Sequence, residues 1–147
     1  LTAWIAKQPK DVDVRRIPVT FGQAALVNLA RLYYSLEAMG ELDKLDLQIF
    51  EALHEQRINL TSEPNMFEWL AKKGVNTQKF AQLFKSFGID SKIRRGEQLQ
   101  RDFQIDGVPA LVIDGKYMID RAPAVKLLEM TDQLIAKVRA ERTTKKK

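Results

Sequence analysis

The segment with the most chemical content reads Gly107-Val108-Pro109-Ala110. It leads into ALVID (110–114), an Asp114-Gly115 pair, and KYMI (116–119). Asp-Gly between two apolar runs is the strongest short-range hairpin signal. Pro109, at the mouth of the first strand, cannot donate to a ladder. Two readings of its peptide bond are open from the local pattern. A trans bond makes it an ordinary strand start. A cis bond turns residue 108 so that its backbone N–H and C=O face outward, where an extended peptide can pair with it by strand addition.

Other chemistry is excluded by composition. The 147-residue chain contains no cysteine, so by itself it forms no disulfide, thiolate nucleophile or zinc–thiolate centre. A single histidine, His54, rules out a multi-histidine metal site and argues against a hydrolytic triad within the chain. We assign no metal, no cofactor, and no catalytic role to His54. The net charge of +5 belongs to one place: KVRAERTTKKK (137–147) carries six basic residues against Glu141, and residues 1–136 balance at 18 against 18. The basic balance therefore describes a tail and not a groove, which argues against a nucleic-acid partner. No apolar run approaches the ~20 residues that cross a bilayer. No signal peptide is visible, and a chain opening at Leu1 reads as processed, cut or truncated.

The elements that position the 107–119 segment follow from periodicity. Residues 1–8 read as the end of a helix, with Pro9 as its stop. RRIPVTF (15–21) reads as a short edge strand, demoted by Pro18. Five helices are expected next: Gln23–Met39, ending at Gly40; Asp43–Gln56; one capped by Thr61 or Ser62 and ending near Gly74; one capped by Thr77 and ending at Gly88; and one capped by Ser91 and running to about Gln104. Phe67, Trp69, Phe80, Phe84 and Phe87 read mostly as core aromatics. After the hairpin, Asp120–Ala140 reads as a helix with Pro123 in its first turn.

Helices between a lone strand and a hairpin imply an α/β fold with a helical insertion. A lone edge strand and a hairpin make a thin sheet, and stable sheets usually hold a further central strand. The expectation is that this strand lies upstream of Leu1. The domain reading is 1–22 as a remnant helix end and strand, 23–104 as a helical insertion, 105–140 as the remaining α/β part, and 141–147 as a basic, frayed tail.

DGVPALVIDGKYMI resembles the cis-proline loop and final hairpin of the DsbA family of thiol:disulfide oxidoreductases. RRIPVTF and the long helix after it resemble the strand leading into that family's helical insertion. The resemblance implies a thioredoxin-like fold with an inserted helical domain, here lacking its first strands and active-site turn. It implies protein-disulfide oxidoreductase chemistry in the periplasm, forming disulfides in secreted proteins. There a Cys-x-x-Cys pair stands at a helix N-terminus, whose dipole favours thiolate. A stable thiolate leaves readily, so the disulfide form oxidises strongly. Substrate thiolate attacks, a mixed disulfide forms, and a second substrate thiol resolves it.

The same resemblance assigns substrate binding to Val108 and Pro109, close backbone approach to Gly107, and a groove-lining loop to residues 120–123, which include Asp120 and Arg121. It sets Arg16 where the family often carries a buried Lys below the redox centre; a surface Arg over a sheet edge is the alternative. The implied partners are reduced or unfolded secreted proteins and a membrane, quinone-linked reoxidising protein. Exposed strand edges suggest self-association as well. Without cysteines the chain is expected to be inactive alone, its redox motif lying upstream of Leu1. The alternatives are a redox-inactive thioredoxin-like peptide-binding or chaperone module, or a glutathione-using transferase or isomerase of related fold.

Overall fold

The computed structural model describes residues 2–145, with the side chains of 3–144. Its elements are α1 (Thr2–Ala6), α2 (Ala24–Met39), α3 (Leu42–His54), α4 (Glu63–Lys72), α5 (Thr77–Phe84), α6 (Phe87–Asp102), β1 (Ala110–Ile113), β2 (Tyr117–Asp120) and α7 (Ala124–Lys145). They group into two units, Ile17–Asp102 and Leu1–Arg16 with Phe103–Lys147.

The five-helix unit is held by a large apolar core and a smaller cluster of Ala30, Tyr34, Ile89 and Ile93 from α2 and α6. Leu32, Leu36, Leu45, Leu60, Met66, Leu70 and Phe80 are essentially inaccessible to solvent. Gly40 closes α2 in the left-handed conformation at φ 72°, where a side chain would be strained, and donates back to Glu37 and Leu36. Arg31 on α2 donates to the Phe84 carbonyl at 2.9 Å and pairs with Asp90, tying three helices to one guanidinium. Helix starts differ from the sequence reading. Asn76, not Thr77, caps α5, its side chain accepting from the Lys79 N–H at 3.2 Å. Ser86 Oγ accepts from Ile89 N–H at 3.3 Å, so α6 opens at Phe87; Gly88 and Ser91 lie inside it. Phe87 is consequently exposed and not core.

The second unit packs the β1–β2 hairpin on α7. The strands are antiparallel, with Ala110 opposite Asp120 and Ile113 opposite Tyr117. Asp114 and Gly115 both take positive φ, 54° and 65°, and Lys116 N–H donates to the Ile113 carbonyl at 3.0 Å, so Lys116 belongs to a three-residue turn and β2 starts at Tyr117, not at 116. Ile113 and Ile119 face inward onto Leu127 and Val138 of α7. Val112 and Met118, also cross-strand partners, face out.

Three expectations from the sequence are not met. Residues 15–21 carry no strand: no ladder partner for them exists among the described residues, and burial alternates along 11–18 without pairing. The tail is not frayed from 141, because α7 continues to Lys145. Glu141 accepts from the Tyr117 hydroxyl and Arg142 pairs with Asp114, so the last turns clasp the hairpin. Pro123 precedes α7, its carbonyl accepting from Leu127 N–H, and does not sit in the first turn. The remainder of the tail, 146–147, lies outside the described residues, as does Leu1.

Arg139 of α7 reaches the N-terminal segment, donating through Nε and Nη2 to both Asp11 carboxylate oxygens at 2.8 and 2.7 Å. These hydrogen bonds, aided by the guanidinium charge, lower the Asp11 pKa. A carboxyl lowered on folding adds stability above its unfolded pKa and loses it as pH falls through the folded one. The contribution is therefore present above about pH 4 and fades below it. Carbon-13 titration of the Asp11 carboxyl should give a midpoint below the ordinary aspartate value, and Arg139→Gln should return it upward. An unchanged midpoint in that variant would show that the pair does not persist in solution.

Candidate functional site

The hairpin register decides which residues meet at its open end. Because Ala110 sits opposite Asp120, the residues before 110 and those after 120 run side by side. They enclose a half-open cavity of about 390 Å³ lined by Asp106, Gly107, Val108, Pro109, Asp120, Arg121 and Ala122. All five residues read from sequence as substrate-binding line it: Gly107, Val108, Pro109, Asp120 and Arg121. Arg16, the suggested support for a redox centre, is half-buried and does not line it.

The Val108–Pro109 peptide bond is cis. Val108 is 66% exposed. Among the described residues, none hydrogen-bonds its backbone N–H or C=O. Unpaired backbone groups beside a strand end are a template for another extended chain. An exposed β-branched side chain next to them offers that chain apolar surface.

The opposite wall is ionic. Arg121, which leaves β2 in the left-handed conformation at φ 56°, donates from Nη2 to Asp106 Oδ2 at 2.5 Å. Its Nε stands 3.8 Å from Asp120 Oδ2. Asp106 is the lining residue that sequence reasoning passed over. The signal for it was present in the hairpin register, which faces the segment before Pro109 with the segment after Asp120, so an Asp on one and an Arg on the other are within reach. Among the described residues no group of three or more His, Cys, Asp or Glu is arranged to hold a metal ion, and no cysteine exists to carry thiol chemistry.

His54 is exposed on the last turn of α3 and lies against Phe50, with ring centroids 4.5 Å apart and planes tilted by 48°. Trp69, Phe80 and Phe84 are buried and Phe67 packs against them, so these aromatics serve the core.

Comparison with known proteins gives a consistent picture. The family model of the DSBA-like thioredoxin domain matches residues 7–131. The thiol:disulfide interchange protein DsbA of Pseudomonas syringae pv. tomato is 34% identical over 143 residues, covering 95% of this chain and 66% of that protein. The crystal structure of Pseudomonas aeruginosa DsbA superposes with a TM-score of 0.89 at 32% identity, over 96% of this chain and 74% of that one. A cysteine-to-serine variant of DsbA from Proteus mirabilis, solved with the non-covalently bound peptide PWATCDS, shares the fold at a TM-score of 0.77 and 23% identity, over 92% of this chain and 76% of that one. The chain thus spans just under two thirds of the length of the first of these relatives.

Proposed function

This chain belongs to the DsbA-like thioredoxin family of thiol:disulfide oxidoreductases, and on that premise we propose that its cavity holds the extended substrate peptide for disulfide exchange. The observation that carries the reading is Val108: a backbone N–H and C=O without partners, beside an exposed apolar side chain, at the mouth of a strand. Gly107 and Pro109 set the course of the loop, and Asp120 and Arg121 form the facing wall. A peptide laid along 107–109 gains main-chain hydrogen bonds for affinity and side-chain contacts for register.

The exchange itself needs two sulfurs that these 147 residues do not contain. In this reading the redox cysteines come from outside the chain, and the chain supplies recognition. Substrates are reduced secreted proteins, the compartment is the periplasm, and a membrane quinone-linked protein returns the oxidising equivalents. Each of these assignments rests on the family alone. Pairing of open strand edges between copies is the corresponding proposal for self-association. The absence of cysteine favours one second reading, a peptide-binding module without redox chemistry.

Two measurements test the proposal. With a short extended peptide bearing Ser in place of Cys, nitrogen-15 spectra should show shifts concentrated at Gly107, Val108 and Arg121. Failure of those amides to move at millimolar peptide would end the substrate-loop reading. In an insulin-reduction assay this chain should give no turnover above buffer, since no residue can form a mixed disulfide. Measurable turnover would contradict the assignment of the chemistry to residues elsewhere.

A further inference from the structure

The cavity's wall charges do not cancel. Two carboxylates and one guanidinium line it, a net charge of −1. The guanidinium is committed mainly to Asp106, at 2.5 Å, in a pair whose side chains are both largely exposed. Asp120 is different. Its side chain is only 27% exposed, it belongs to a paired strand, and its contact to Arg121 is a long 3.8 Å. The carboxylate best fixed in place is therefore the one least neutralised. It shares a cavity with Val108 and Pro109, where a peptide residue flanking the reacting position would lie.

We propose that Asp120 makes this site selective for peptides carrying a lysine or arginine beside the position that pairs with Val108, with Arg121 limiting how negative the wall becomes. The inference rests on the peptide-loop reading above and adds a substrate class to it. A cation entering the cavity meets a pre-placed partner on a strand, which costs little ordering of the protein side. An anionic side chain meets a net like charge. Arg121 blunts that repulsion without removing it, because its donors point first to Asp106.

Three Ser-containing peptides identical except for Lys, Gln or Glu at the flanking position provide the probe. Binding is read by titration of the Gly107 and Val108 amide signals, and the cysteine-free chain makes the readout recognition alone. At low salt the Lys peptide should bind about threefold to fivefold tighter than the Glu peptide, the size expected of a partly exposed ion pair. The preference should shrink at 0.5 M salt, where the screening length falls to about 4–5 Å. Asp120→Asn should erase it, and Arg121→Gln should widen it. Equal affinities for the three peptides, with Gly107 and Val108 still shifting, would overturn the charge selectivity and leave the peptide loop standing. No shift with any peptide would overturn both. A lysine preference that survives Asp120→Asn would overturn the role given to Asp120. Should that variant fail to fold, the widening in Arg121→Gln decides the question: an unchanged or narrowed preference there overturns the proposal.

Discussion

Phe80→Ala is expected to destabilise the five-helix unit by about 3–5 kcal/mol, the range for deleting a fully buried phenylalanine ring. Phe80 is 0% exposed. Its ring meets Phe67 edge-on, with centroids 5.2 Å apart and planes at 76°, and lies 5.6 Å from Phe84. Phe67 and Phe84 also meet edge-on at 5.9 Å, so the three rings form a closed triangle. Edge-to-face pairs add about 0.5–1.5 kcal/mol beyond area burial. Removing Phe80 breaks two sides of the triangle and leaves a void under α4 and α5 that surrounding side chains can only partly fill. Denaturant unfolding followed by helical circular dichroism reads the loss. Phe87→Ala is the internal comparison: that ring is 75% exposed, and the change should stay within about 0.5 kcal/mol. A loss below about 1.5 kcal/mol for Phe80→Ala would mean the core closes over the gap and the triangle is not a rigid unit.

The contrast between those two phenylalanines shows what a sequence can and cannot convey. Phe80, Phe84 and Phe87 recur at helical spacing, and by periodicity alone they belong to one stripe. The break is made by Ser86, whose hydroxyl caps a new helix and ends the stripe. A cap that competes with continued helix is a local hydrogen bond worth about 1 kcal/mol, too small to see in a hydropathy pattern. The residues 15–21 fail for the opposite reason. Their β-branched composition fits a pleated, half-buried surface, but a strand exists only with a partner, and pairing is long-range. The C-terminal turns were likewise illegible. A run of Lys and Arg reads as solvated tail until Asp114 and Tyr117, more than 20 residues earlier, are brought against it. What was legible was the hairpin. Asp114-Gly115 marks the turn but not its length: a two-residue loop would pair Ile113 with Lys116, and it is the observed three-residue turn, with Ile113 opposite Tyr117, that sets Asp120 opposite Ala110.

Val108→Ser should weaken binding of an extended, uncharged peptide by about tenfold while leaving stability nearly unchanged. Val108 is 66% exposed in the free chain, so it contributes little to folding, and a surface change of this kind stays within about 0.5 kcal/mol. On docking, the same exposed surface becomes buried. Full burial of a valine is worth about 1.5–3 kcal/mol. Two thirds of that surface, imperfectly covered, gives about 1.4 kcal/mol, which is tenfold in affinity. Serine keeps the backbone N–H and C=O, so the main-chain hydrogen bonds to the peptide survive while the apolar contact made by the two methyl groups is lost. It also leaves the wall charges of Asp106, Asp120 and Arg121 untouched, so any lysine preference should persist at the lower affinity. This pairing of outcomes is what a recognition surface produces and a folding residue does not. A Val108→Ser chain that melts several degrees lower with unchanged peptide affinity would place the valine in the scaffold, and the site would have to be sought elsewhere. A chain that melts normally, binds tenfold more weakly and still discriminates charge would separate two contributions: apolar contact from the loop for affinity, and ionic contact from the strand end for selectivity.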